Sequence, residues 1–189
     1  MPEAKPSTIV YTVGHGTRPI AEFIQLLQAV GIRLLVDVRT APGSRKHPQF
    51  GKDALAAALR EHGIAYEWKK ELGGWRKPRP DSRHRALRSP SFRGYADHME
   101  TKEFDAAVRS VIETARETPT AVMCAESLWW RCHRRMLADA LTARGCSVFH
   151  IMSGEGQPQP HRLHPAGRID AEGGVIYDRS EPNLLDSLA

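Results

Sequence analysis

Four short segments carry side chains able to do chemistry: Gly14-His15-Gly16, Asp37-Val38-Arg39, Cys124-Ala125-Glu126 and Cys132-His133-Arg134. Each of the first three ends or follows an apolar, β-branched run, so each reads as the end of a buried strand. In an open parallel sheet, ligands bind at the carboxyl edge, and His15, Asp37, Arg39, Cys124 and Glu126 all fall there. A thiol at a strand-to-helix turn meets free backbone N–H groups and the positive end of a helix dipole, which stabilise a thiolate or a bound phosphate or carboxylate. On this reading Cys124 is a nucleophile or lines an anion site, Glu126 or His15 moves a proton, and Asp37 completes the catalytic set. Arg39, Arg45, Arg134 and Tyr95 are the candidates for holding the anionic group. The competing reading makes Cys124 a small buried strand-end residue and Glu126 an acid that only favours a helix start.

Cys132 and His133 are expected one to two turns into the following helix, with Cys132 on its core face. A structural zinc site usually offers two close Cys or His pairs. Cys124, Cys132 and His133 lack a second pair at such spacing, so no metal is expected. The interval from Cys124 to Arg131 holds six residues and no glycine, too long and too stiff for a phosphatase-type loop. Gly-His-Gly is shorter than the dinucleotide fingerprint and no Walker-type run occurs, so no nucleotide or other cofactor is expected.

The elements that must position these residues follow from periodicity. Ile9 to Val13 reads as a strand, Ile20 to Val30 as a helix stopped by Gly31, and Leu34 to Val38 as a second strand closed by Pro42-Gly43. Lys52 to His62 is alanine-rich and helix-prone, and Ile64 to Trp68 is a third short strand. This β-α-β-α-β order implies a parallel sheet. A helix from about Tyr95 to Arg116, broken at Thr101, leads to the strand Thr120–Cys124. A second amphipathic helix is expected from Ser127 to Arg144, then the strand Ser147 to Met152 and a short edge strand or hairpin in Gly173 to Asp178. The expected fold is therefore a single α/β domain spanning residues 1–189, with a mostly parallel sheet of about five strands and helices on both faces. A flexible N-terminus (1–7) and an irregular C-terminal tail (153–189) flank it.

Between Trp75 and Gly94 the periodicity dissolves. Seven cations from Arg76 to Arg93 face the single acid Asp81, and this segment reads as a mobile basic loop inserted in the domain, a candidate lid. The chain carries 27 Lys and Arg against 22 Asp and Glu, a formal charge of +5, which favours anionic partners. No run approaches the ~18 apolar residues of a membrane span, the start lacks a signal-peptide layout, and three cysteines form no disulfide framework. A cytoplasmic protein with reduced thiols and no membrane partner is expected.

Taken in order, Tyr11 to Gly16, Leu34 to Ser44, Glu71 to Trp75, Phe92 to Met99, Met123 to Ser127 and Cys132 to Leu137 resemble the domain of unknown function 488 family across almost the whole chain. A hydroxyl residue expected directly after the histidine is replaced by Gly16, with Thr17 one position later. The resemblance implies a compact α/β domain and supplies no reaction. Leu35 to Arg39 also looks like a rhodanese strand, although the cysteine here lies on a much later turn. Two functions follow from the residues: an enzyme, or a degenerate one, acting on a small or polymer-borne anionic substrate at the sheet edge, and, as the alternative, a nucleic-acid-binding module using the loop at 76–93 with Trp75, Trp129 or Trp130 to stack bases.

Overall fold

The structure, a computed structural model, describes residues 7–43, 45–152 and 156–179. The first strand, β1 (Ile9–Gly14), leads through α1 (Ile20–Ala29) to β2 (Leu34–Asp37), and α2 (Lys52–Glu61) returns the chain to β3 (Ala65–Trp68). Two helices, α3 (Pro90–Met99) and α4 (Lys102–Ala115), then precede β4 (Thr120–Cys124), and α5 (Arg134–Ala143) precedes β5 (Ser147–Ile151). These five strands pair in parallel in the order β3-β2-β4-β1-β5. The two-residue β6 (Gln159–Pro160) joins β5 in the antiparallel sense, giving the α/β architecture expected from the sequence.

Alternation along each strand divides the apolar residues between two cores. Val13, Leu35, Ala121 and Met123 turn to one face and bury Phe23 and Leu27 of α1 and Leu55 and Leu59 of α2. Val10, Val36, Val122 and Val148 turn to the other, where Phe104 and Val108 of α4 and Met136 and Leu141 of α5 cover them. Each such fully buried side chain contributes roughly 1.5–3 kcal/mol, so β4, covered on both faces, is the best-anchored element. The helix break at Thr101 occurs where expected: its hydroxyl accepts from the Phe104 N–H and caps α4.

Three expectations change. The amphipathic period that suggested a helix from Ser127 is carried instead by a loop with one 3-10 turn, Trp129–Arg131, and α5 begins only at Arg134. Trp129 leaves the helical path to stack on His150 at 3.9 Å, and the Arg134 guanidinium occupies the Glu126 and Ser127 carbonyls. The basic segment ends in helix, since 90–94 belong to α3. Its middle is strapped down: Arg79 and Arg83 pair with Glu100, and buried His84 accepts from the Tyr177 N–H. Val175–Tyr177 forms β8, which pairs with β7 (Gly167–Ile169) in a separate ribbon rather than at the main sheet's edge. Of the expected flexible N-terminus and irregular tail, residues 1–6, 153–155 and 180–189 lie outside the described residues.

Several histidines are buried. His150 donates or accepts against Thr12 and His161, and burial, then the nearby His161 and Arg134, pushes it down to about 3. Burial likewise lowers His15 to about 4, against the opposing Gly16 carbonyl bond, and lowers His84 and His98. The unfolded chain protonates these groups near pH 6.5 while the folded chain does not, so stability is fully present above ~6.5 and falls as pH drops toward 4. Burial opposes ionisation of Glu100, yet its bonds from Arg83 and Arg79 hold it below its ordinary 4.5, so it adds a further loss of stability as pH falls below about 4.5. Thermal melts are expected to show a Tm roughly 5–10 °C lower at pH 5 than at pH 7.5. His150→Gln should flatten that slope, and an unchanged slope in this variant and in His15→Gln would place the acid sensitivity elsewhere.

Candidate functional site

The strand order places a switch point between β1 and β4. The chain leaving β1 crosses β4 toward β2 over the α1 face, whereas the chain leaving β4 crosses β1 toward β5 over the α5 face. Loops therefore diverge at the carboxyl ends of these two neighbours and leave a crevice. A cleft of ≈ 1030 Å³ occupies it, lined by the β1 loop from His15 to Thr17, residues 39–41, 43 and 45–47 after β2, the β4 loop from Cys124 to Ser127, and His133, Gly74 and Trp75.

Glycines set how closely these loops approach. A Cβ on Gly14 would collide with the Glu126 carbonyl, and Gly16, at φ 57°, holds a left-handed turn directly beneath Ser127. A Cβ on Gly74 would sit 2.5 Å from His133 Nδ1. Beneath the loop, Arg134 is 1% exposed and binds the Glu126 and Ser127 carbonyls and the Thr12 hydroxyl. Arg134 is thus a positioning residue of the loop and does not line the cleft.

Cys124 and His133 line the cleft floor, and Cys132 meets them from just behind it. The two sulfurs are 3.1 Å apart, and His133 Nδ1 lies 3.5 Å from Cys132 Sγ and 3.9 Å from Cys124 Sγ. All three potential ligand atoms fall within 4.8 Å of one another. His133 Nε2 is 3.1 Å from the Val38 carbonyl, which can only accept, so Nε2 carries the proton and Nδ1 presents a lone pair to the sulfurs. The ring also meets Tyr95 edge-on at 5.1 Å. Tyr95 itself is fully buried and donates to the Leu72 carbonyl; it buttresses His133 and does not reach the cleft.

The thiols separate in acidity. Cys132 is pulled down to about 6, first by its hydrogen bond with Cys124, against burial, with the Arg134 charge assisting. Cys124 is pushed up to about 12, first by Cys132 and then by burial. The sequence reading placed the nucleophile at Cys124 and packing at Cys132; the hydrogen bond between the two sulfurs couples them, lowering Cys132 and raising Cys124.

Asp37 and Arg39 form a buried bidentate pair, with Arg39 Nη2 and Nε 2.6–3.1 Å from the carboxylate. Tyr66 donates to the same carboxylate at 2.7 Å. The buried Asp37 carboxylate is occupied by Arg39 and by Tyr66 and fixes the Arg39 head, so it is placed as a positioning residue behind the cleft. Arg39 then reaches His15 Nε2 at 3.4 Å. His15 Nδ1–H donates to the Gly16 carbonyl and its ring stacks on Phe50 at 4.1 Å. Arg45 and Lys46 are exposed on the cleft rim. Glu126 also lines the cleft, its carboxylate accepting from the Leu128 N–H. The structure therefore gathers His15, Arg39, Arg45, Cys124 and Glu126 around one cleft, and sets Asp37, Arg134 and Tyr95 behind it. Sequence reasoning left Cys132, His133 and Lys46 out of the site; the adjacency of Cys132 and His133 was the available signal.

An α/β protein with its loops converging on a switch-point cleft is what fold and site together define. Residues 19–141 match the model of Domain of unknown function DUF488, and the chain belongs to that family. The match includes every residue of the thiol and imidazole group and stops short of Gly14-His15-Gly16. No curated protein and no solved structure matches the chain significantly. Among the described residues no helix is long and apolar enough to cross a membrane.

In chelator-treated, reduced protein carrying Cys146→Ser, alkylation at pH 7 is expected to go first to Cys132, as read by peptide mapping. Cys132→Ser should slow total alkylation roughly tenfold or more, because thiolate fraction sets the rate. Cys124 reacting first would reverse the assignment of charge.

Proposed function

We propose that the cleft is the substrate site of an enzyme acting on a small or polymer-borne molecule that carries a phosphate or carboxylate group, with Cys124, Cys132 and His133 as its reacting centre. The observation that supports this is the sharing of one cleft, at the switch point of the sheet, by the exposed cations Arg45 and Lys46 and the buried thiol and imidazole group. Exposed cations on a rim attract an anion from solvent. Arg39, fixed by Asp37, supplies a charge that does not have to be ordered on binding. His15 stays neutral near pH 7, its Nε2 lone pair turned to Arg39, and so serves to orient the guanidinium. His133 presents its Nδ1 lone pair to the two sulfurs, with Nε2–H held by the Val38 carbonyl.

The alternative, nucleic-acid binding by the segment at 76–93, has less behind it. Arg79 and Arg83 are engaged with Glu100, and Arg76 donates to the Gly73, Lys70 and Glu71 carbonyls. Three of the segment's cations are thereby turned to the protein itself.

Calorimetric titration of chelator-treated protein with inorganic phosphate should give one saturable site. The double variant Arg45→Ala, Lys46→Ala should weaken it about tenfold or more, since a hydrogen bond to a charged group is worth roughly 1.5–3 kcal/mol. No saturable phosphate binding, or the same affinity in the variant, would remove the reading. Salt-sensitive binding of a single-stranded oligonucleotide, abolished by Arg85→Ala with Arg88→Ala and untouched by the rim variant, would favour the alternative.

A further inference from the structure

We propose that Cys124, Cys132 and His133 bind a single Zn²⁺ ion, with its fourth coordination position open to the cleft. This names what sits at the reacting centre, and it rests on the reading above only for what meets the open position. The donor geometry stands by itself.

Zinc holds thiolate sulfur at about 2.3 Å and imidazole nitrogen at about 2.0–2.1 Å in a tetrahedron, which fixes donor separations of about 3.8 Å for S···S and 3.5 Å for S···N. The three donors are 3.1, 3.5 and 3.9 Å apart, so sub-ångström shifts bring them onto those edges. Two soft thiolates and an imidazole are the donor set that favours zinc over hard cations. Both sulfurs are buried, one at the end of β4 and the other just before α5.

A second, independent observation concerns His133. A zinc-ligating histidine needs its distal N–H bonded to a fixed acceptor, which sets tautomer and ring orientation. The Val38 carbonyl provides that acceptor at 3.1 Å. Gly74 leaves room for the ring where any side chain would displace it, and Tyr95 closes on its edge. The imidazole is thereby held with Nδ1 directed at the sulfurs. Among the described residues the cluster offers three donors and no fourth, and both Cys124 and His133 line the cleft. Three protein ligands with one position left for water or substrate is the arrangement of catalytic rather than structural zinc. On binding, each thiol gives its proton to solvent, and two thiolates leave the Zn²⁺ complex electrically neutral.

The test uses the full chain, reduced and stripped with chelator, titrated with Co²⁺ as a spectroscopic probe and then with Zn²⁺. One equivalent of Co²⁺ should give a thiolate-to-metal charge-transfer band and the intense visible bands of four-coordinate cobalt, and Zn²⁺ should erase both. Cys124→Ser and Cys132→Ser should each diminish the charge-transfer band and weaken Zn²⁺ binding about 100-fold or more. Gly74→Ala, which acts through His133, should cost about 10–100-fold, and Cys146→Ser nothing. Azide or inorganic phosphate should shift the visible cobalt bands if the fourth position is open. Should both serine variants fail to fold, the wild-type spectrum and Gly74→Ala decide the matter. A folded wild type with no charge-transfer band overturns the proposal. So does a band surviving both serine substitutions, or a Cys124–Cys132 disulfide forming in the presence of Zn²⁺. Phosphate binding by the stripped protein is scored separately: its loss alongside an intact cobalt spectrum sinks the anion reading and leaves the metal site standing.

Discussion

The Arg134 guanidinium is buried at the amino end of α5 and ties the loop after β4 to β1, adding to the backbone bonds that already join these neighbouring strands. Through its two Nη atoms it joins the Glu126 and Ser127 carbonyls of the β4 loop to the Thr12 hydroxyl of β1. Its two Nη atoms are met while its buried Nε has no partner, and losing the loop carbonyls would leave more of a buried cation unmet, which holds those carbonyls turned inward. That requirement stops residues 125–133 from winding into helix, since their carbonyls cannot serve Arg134 and a helical ladder together. It also presses Glu126 against β1 closely enough that Gly14 has no room for a side chain. The open form of the loop, and with it the meeting of Cys124 and Cys132 across seven intervening residues, depends on this one charge.

The same contact begins a chain of buried polar groups that runs away from the cleft. Thr12 meets His150, His150 meets His161, His161 meets Asp139, and Tyr177 donates to the other Asp139 oxygen. These groups come from β1, β5, the segment after β6, α5 and β8, so the chain ties the C-terminal ribbon to the sheet through polar bonds in addition to the apolar burial of Val175 and Tyr177. Partly satisfied networks of this kind are costly and fully satisfied ones specify a single packing. The arrangement explains why Trp129 lies flat on His150: the ring covers the network from the loop side and excludes water from it.

How much of this the sequence showed depends on the range of the cause. The strand ends at His15, Asp37 and Cys124 were legible because apolar β-branched runs announce buried parallel strands, and the sheet edge then groups their successors whatever the details. The start of α5 was not legible. Trp129, Cys132, Met136 and Ala140 keep a helical spacing, and what breaks it is a pair of side-chain contacts that spacing does not show, Trp129 on His150 and Arg134 on the loop carbonyls. Arg134 and Tyr95 were expected at the ligand as groups able to hold an anion. Both are buried, and no local pattern distinguishes a guanidinium that clamps a substrate from one that clamps its own loop. His133 was read as a satisfied helical residue. Its partner is a backbone carbonyl of β2's trailing residue, ninety-five positions earlier, which composition and periodicity cannot indicate.

Separation of supports from rim is what these distant contacts achieve. Cys124 is fixed by the end of β4, Cys132 by the approach to α5, and His133 by Val38, Gly74 and Tyr95, all of them attached to buried strands, α3 or the close turn after β3. Arg45 and Lys46 stand on the exposed β2 loop, outside those supports. Arg39 lies between the two: its head is held by Asp37 and the Phe50 carbonyl, while its remaining Nη1 turns toward His15. A substitution at residue 45 or 46 therefore alters the charge met by an entering ligand without moving the donors, whereas a Cβ at Gly74 moves a donor without touching the rim charge. The thiol and imidazole group at the floor and the exposed cations at the rim are carried by different elements of the fold, and this mechanical independence lets the rim vary while the thiol and imidazole group keeps its geometry.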